Sequence, residues 1–423
     1  MGAPCGAASL STADDMEEKT FEDVISFDEL YKGMKKASRG VMWKNSVVSY
    51  RLNGVENTWK LRQELLHNAY QISKYQHFII HEPKTREIVA TRIRDRQFQR
   101  SLCDNILYPQ MTRGFIYDNC ACMRGKGVDF ALDRLKCHMQ RYWRKHGMDG
   151  WVLKCDIHHY FPDTPHEVAK DALRKRIRDP DALKAAENII DSFGGDRGIG
   201  LGSQVSQLVE LAVLDELDHY IKEELLIKHY VRYMDDFILI DHDRNVLEKA
   251  LYQIRMWVNY LGLELNAKSQ IAPLRHGIKF LKWRHILTPT GKVIRKIDAS
   301  SPKRERKRLL DLEKKVREGR VNPDRIVDSY QSWKAHAEKG QTGRTSWRMH
   351  LLFCEIMERL EADGHKLSER AKAAISRRKG ENNERNFSNT GRTDLQGGGE
   401  SGSGSCEVRK AGGAAGTAAC GKR

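Results

Sequence analysis

Apolar and polar positions along this chain mark out two short strands that carry acids. Residues 231–240 read Val-Arg-Tyr-Met-Asp-Asp-Phe-Ile-Leu-Ile, an acid pair wedged between apolar runs. Side chains alternate between the faces of a strand, so two adjacent aspartates reach one site only at a tight turn. The pattern predicts a β-hairpin with Val231–Tyr233 and Phe237–Ile240 as buried strands and Asp235 and Asp236 at the tip. Upstream, Gly150-Trp151-Val152-Leu153-Lys154-Cys155-Asp156-Ile157 reads as a short apolar strand ending in a carboxylate, followed by His158-His159-Tyr160-Phe161-Pro162. Helical spacing predicts helices over Phe27–Lys36, Trp59–Tyr75 and Val128–Arg144. A fourth, Leu208–Leu225, follows the glycine-rich stretch 198–207. Beyond Ser301-Pro302 three more are expected, at Lys303–Glu318, Asp324–His336 and Thr345–Leu360.

An Asp-Asp turn open to water is the plain reading of the hairpin; a divalent cation between the acids is the functional one. If the Asp156 strand lies beside the hairpin, three carboxylates form a ligand set for two Mg²⁺ ions, with Mn²⁺ as a substitute, suited to in-line phosphoryl displacement. Here the sequence resembles the palm of reverse transcriptases, through Asp156 with Phe161 five residues on, and then Tyr233-Met234-Asp235-Asp236. The resemblance implies metal binding by Asp156, Asp235 and Asp236, with the Ile157 carbonyl as an extra ligand. It also implies that Phe161 screens the sugar 2′ substituent of the incoming nucleotide. The implied fold is α+β: a right-hand polymerase palm, an antiparallel sheet with helices, together with fingers and a helical thumb.

The likeness extends over about residues 60–350. Pro83-Lys84-Thr85-Arg86 through Gln99 fits the basic fingers hairpin over the dNTP triphosphate, with Lys84 and Arg86 as phosphate contacts or as ordinary surface cations. Phe115–Gly127 matches the loop before a template-seating helix. Leu261–Ser269 matches the segment that places a lysine near the leaving pyrophosphate; Lys268 is a general-acid candidate there, or a solvated lysine. Gly277–Trp283 resembles a primer-grip hairpin, with Lys282-Trp283 where the family more often has Gly-Tyr, and Ser332–Ala337 resembles thumb sequence. Most members carry Gln-Gly, three residues, then Ser-Pro; this chain has Leu201-Gly202, three residues, then Ser206-Gln207. That departure resembles the reverse transcriptases of diversity-generating retroelements and related bacterial enzymes. It places Leu201 and Gly202 at the dNTP and removes a polar contact.

Composition agrees with a nucleic-acid enzyme: among 423 residues, 73 Lys and Arg face 57 Asp and Glu, a formal charge of +16. The nine scattered cysteines fit a reduced, cytoplasmic protein, and the family resemblance implies a bacterial or phage-encoded one. Cys120, Cys122, Cys137 and His138 fit no common zinc spacing, and His158 and His159 read as packing or backbone-facing residues. No signal peptide or apolar run long enough to span a bilayer is present in the sequence, so no membrane partner is expected. The expected organisation is a disordered N-terminus at 1–19, fingers over 20–149, palm over 150–290, helical thumb over 291–376 and a disordered Gly/Ser-rich basic tail at 377–423.

Together these readings predict an RNA-directed DNA polymerase, a nucleotidyltransferase of the diversity-generating retroelement type. Template RNA, the RNA/DNA duplex, dNTPs and a small basic accessory protein are its expected partners. The alternatives are a phage-defence or group II intron-like reverse transcriptase, or a catalytically idle RNA-binding protein on the same fold.

Overall fold

The computed structural model describes residues 18–81 and 85–375. It divides into two compact units. One comprises the chain up to Pro302 together with Ala337–Gly343; the other comprises Lys303–His336 and the chain from Arg344.

The first unit is mixed helix and sheet, with three antiparallel sheets. β1 (Gln76–Ile80) pairs with β2 (Arg86–Ala90) in a hairpin of its own. β3 (Trp151–Asp156), β4 (His229–Tyr233), β5 (Asp236–Asp241) and β6 (Gln270–Pro273) form a four-stranded sheet in the order β4-β5-β3-β6. β7 (Ile278–Phe280), β8 (Trp283–Leu287) and β9 (Val293–Ile297) form the third sheet. In β5, Phe237, Ile238, Leu239 and Ile240 are all buried, as expected of a strand covered on both faces. Helix Arg244–Tyr260 packs on β3 and β5, and helix Val128–His146 packs on β4. At about 1.5–3 kcal/mol for each large side chain removed from water, this strand anchors the sheet to its helices.

The structure departs from expectation at the acid hairpin and at two helices. The hairpin turn is Met234–Asp235, with Met234 at φ +57, so Asp236 opens β5 instead of sharing the tip. The helix expected over Trp59–Tyr75 runs Gly54–Leu66. Asn68 adopts φ +55 and the Ala69 N–H turns back to the Glu64 carbonyl at 2.8 Å, which closes the helix end. The helix expected over Leu208–Leu225 starts earlier, at Gln204, and breaks after Val213. It resumes as Asp215–His219 and ends in a wide π turn over Tyr220–Glu224. At the break the Arg232 guanidinium donates to the Leu211 carbonyl at 3.0 Å, a side chain inserted into the helical ladder.

Val293–Ile297 is a strand of the third sheet, so the segment 291–376, expected as a helical thumb, opens with a strand before its helices. The β7–β8 turn uses Leu281 and Lys282 at φ +47 and +69. Helices Ser300–Arg317, Asp324–Ala337 and Gly343–Ala362 lie close to their expected bounds. In the second unit the stripe Glu305, Leu309, Glu313 and Val316 of the first of these turns inward. Glu305 accepts from the Ser329 hydroxyl, and Glu313 accepts both prongs of the Arg359 guanidinium at 2.9 Å. Lys303, Arg304, Arg306, Lys307, Arg308 and Lys314 remain exposed. No helix among the described residues is long and apolar enough to cross a membrane.

Candidate active site

Asp156 closes β3 and Asp236 opens β5, and the antiparallel register sets them directly opposite one another. Directly paired residues share one face with their Cβ atoms about 5 Å apart, so both carboxylates project to one side of the sheet. Asp235, in the adjoining turn, brings the third. The loop after helix Arg244–Tyr260 supports Asp156: the Asn266 N–H donates to its carbonyl at 2.7 Å and the Asn266 side-chain amide to its Oδ2 at 3.0 Å. Ser269 Oγ also meets the Asp156 N–H at 3.3 Å. Ile157 is buried and bridged to Leu265, which fixes its main chain beside the acids.

Lys154, two residues before Asp156 and hence on the same face of β3, points its ammonium at Asp236, 3.2 Å from each carboxylate oxygen. The same ammonium donates to the Lys279 carbonyl of β7 at 3.0 Å, tying the third sheet to the acids. Asp236 is pushed up to about 6, first by burial, with Lys154 opposing and Asp156 and Asp235 adding to the rise. A second positive charge among these groups would relieve that cost. The donor set is all oxygen, which suits a hard divalent cation such as Mg²⁺.

The remaining candidates are spread around this centre. Phe161 is half-buried in the short turn after β3, edge-on to Tyr160, and its carbonyl accepts from the Ile199 N–H at 2.9 Å. That bond brings the glycine-rich stretch to the strand end. Gly202 takes φ +120, and a Cβ there would lie 3.3 Å from the Val89 carbonyl, so this turn and β2 approach closely. Leu201 beside it is half-buried. Arg86 opens β2 opposite Ile80, whereas Lys84 lies outside the described residues. Lys268 is exposed on the loop that braces Asp156. His158 and His159, expected as packing or backbone-facing residues, are exposed and stacked at 3.9 Å between ring centroids. With Asp163 they bring three potential metal-ligating atoms within 4.8 Å of one another.

Sequence reasoning missed four side chains. Lys154 was detectable, because period two puts it on the face of Asp156. Arg232 carried a signal as well, since a cation inside an otherwise apolar strand demands a buried counter-ion. That partner is Asp218, gripped through Nε at 2.7 and 2.9 Å and Nη2 at 2.6 Å. Glu210, a lone acid in the apolar run Leu208–Val213, is fully buried and pushed up to about 8, chiefly by burial and also by Asp235. Asn266 carried no signal.

No protein-family model matches the chain. Protein YkfC of Escherichia coli (strain K12) is 24% identical over 270 residues, covering 53% of this chain and 70% of that protein. Among solved structures, telomerase from Candida albicans, in complex with a fragment of telomeric RNA, overlaps with a TM-score of 0.43 at 9% identity, over 77% of this chain and 70% of that one. Apo telomerase from Candida tropicalis gives a TM-score of 0.44 at 9% identity, over 72% and 58%.

Proposed function

We propose that this chain is an RNA-directed DNA polymerase with a reverse-transcriptase palm, working in a diversity-generating retroelement. One observation supports the reading above the others: Asp156 and Asp236 stand opposite each other across β3 and β5, with Asp235 in the turn beside them. An idle RNA-binding protein has no need to set a half-buried carboxylate beside two more.

In this reading Asp156, Asp235, Asp236 and the Ile157 carbonyl hold the metal. Bound there, two divalent ions would ease deprotonation of the primer 3′-hydroxyl and would balance the charge that develops on the pyrophosphate leaving group. Lys154, bonded to Asp236 and to the Lys279 carbonyl, keeps a positive charge beside the acids that would hold the metal. Phe161 closes the space beside the sugar 2′ position, and Leu201-Gly202 lies against the nascent base pair. The triphosphate contact is assigned to Arg86, and Lys268 is the proton donor to the pyrophosphate. The exposed cations of helix Ser300–Arg317 contact duplex phosphates. The retroelement assignment rests on Leu201 and Ser206-Gln207, where a polar residue and a proline would mark other reverse transcriptases.

The test is primer extension on an RNA template. Asp235→Asn and Asp236→Asn each remove metal-binding charge and should abolish dNTP incorporation while RNA binding survives, since the Lys/Arg faces are untouched. Normal extension by both variants would remove the catalytic assignment.

A further inference from the structure

Arg232 is the second-largest fully buried side chain of the described residues, and its guanidinium reaches in three directions. Nε and Nη2 grip Asp218, which also accepts from the Tyr230 hydroxyl at 2.5 Å. Nη2 donates to the Leu211 carbonyl at 3.0 Å, at the helix break. Nη1 donates to the Met234 carbonyl at 3.1 Å, inside the turn that carries Asp235. The main chain of Arg232 is held too, its N–H on the Asp118 carbonyl at 3.0 Å and its carbonyl receiving the Cys120 N–H at 2.9 Å. Met234 meanwhile sits in the left-handed region, which a residue other than glycine keeps only when its surroundings hold it there.

From this geometry we infer that Arg232 is a positioning residue: through Met234 it locks the turn so that Asp235 stays beside the paired Asp156 and Asp236. The inference rests on the polymerase reading above. A purely structural ion pair with Asp218 would need Nε and Nη2 alone; the third direction goes to the turn. The planar fork of arginine serves all three at once, and a lysine ammonium at the end of a flexible stem does not. Arg232 touches no reacting atom in this arrangement and acts only through the turn.

The test uses the full chain with Arg232→Lys, and a second variant in which the whole polar set becomes apolar, Arg232→Met with Asp218→Leu and Tyr230→Phe. Replacing a buried ion pair entire is often tolerated where breaking it is not. Thermal midpoint, RNA affinity, kcat and KM for dNTP, and Mn²⁺ binding without nucleic acid are measured for each. The expected result is a kcat lowered about 100-fold, as for a misplacement on the order of 1 Å, with KM for dNTP and RNA affinity held. Mn²⁺ binding should weaken in both variants, including the apolar one at a wild-type midpoint. A folded apolar variant with wild-type kcat and Mn²⁺ affinity overturns the inference, as does a loss of kcat that merely follows the midpoint. Wild-type protein that binds Mn²⁺ yet extends no primer sinks the polymerase reading alone, and the Mn²⁺ comparison then still decides whether Arg232 sets the turn.

Discussion

Replacing Glu210 by glutamine should stabilise the protein at neutral pH and leave it unchanged in acid. Glu210 sits in helix Gln204–Val213 with no exposed surface; the Thr164 hydroxyl donates to its Oε2 at 3.2 Å, and Oε1 has no hydrogen-bond partner. Burial pushes the carboxyl from 4.5 up to about 8; the Thr164 and Tyr160 hydroxyls oppose the rise, Asp235 adds to it and Arg232 opposes it. A carboxyl raised on folding behaves opposite to the usual acid. Between these two values the native state keeps a proton that the unfolded chain has lost, so stability falls as pH rises through the window. At about 1.4 kcal/mol per pH unit, the group costs roughly 4 kcal/mol by pH 7.5. Glutamine has the same shape, keeps an acceptor for Thr164 and never ionises. Urea unfolding of both proteins from pH 5 to 8, without divalent ions, should give curves that agree within about 1 kcal/mol at pH 5 and diverge steadily above it. Asp236, His138 and His229 also titrate, but they do so in both proteins and cancel in the difference. A difference that stays flat across the range would mean that Glu210 is ionised and stabilised by something other than the contacts seen here.

Other outcomes bear on the site. Phe161→Ala should open the space beside the sugar and raise incorporation of ribonucleotides relative to dNTPs; an unchanged ratio in a competition assay would leave Phe161 as a packing residue beside β3. Leu201→Gln restores a polar group where an aliphatic one now stands. If hydrogen bonds can there discriminate where apolar contact manages only about 1–3 kcal/mol, sequenced cDNA from the variant should contain fewer errors. Wild-type misincorporation should fall mainly opposite template adenines; low, equal error at all four bases would favour the defence or intron-like alternatives.

The elements most legible in the sequence were those whose signals are local. A run of four apolar residues after an acid pair admits little besides a buried strand, and β5 lies where Phe237–Ile240 placed it. The same holds for β3 and for helices with a clear apolar stripe, such as Val128–His146. The turn was displaced by one residue because φ at Met234 is imposed from below, by Arg232, and no pattern around Met234 announces it. Likewise the helix through Leu214 reads as continuous by periodicity, and it breaks where the guanidinium of Arg232, twenty-one residues after Leu211, reaches the Leu211 carbonyl. Side-chain charge belongs to tertiary structure for the same reason. The pairing of Lys154 with Asp236, the bracing of Asp156 by Asn266 and the protonation of Glu210 all depend on which distant groups share a low-dielectric space. The sequence by itself determined which residues are acids and which strands carry them. Only the packing of those strands decided which acids face one another, which cation stands between them and which acid is held neutral.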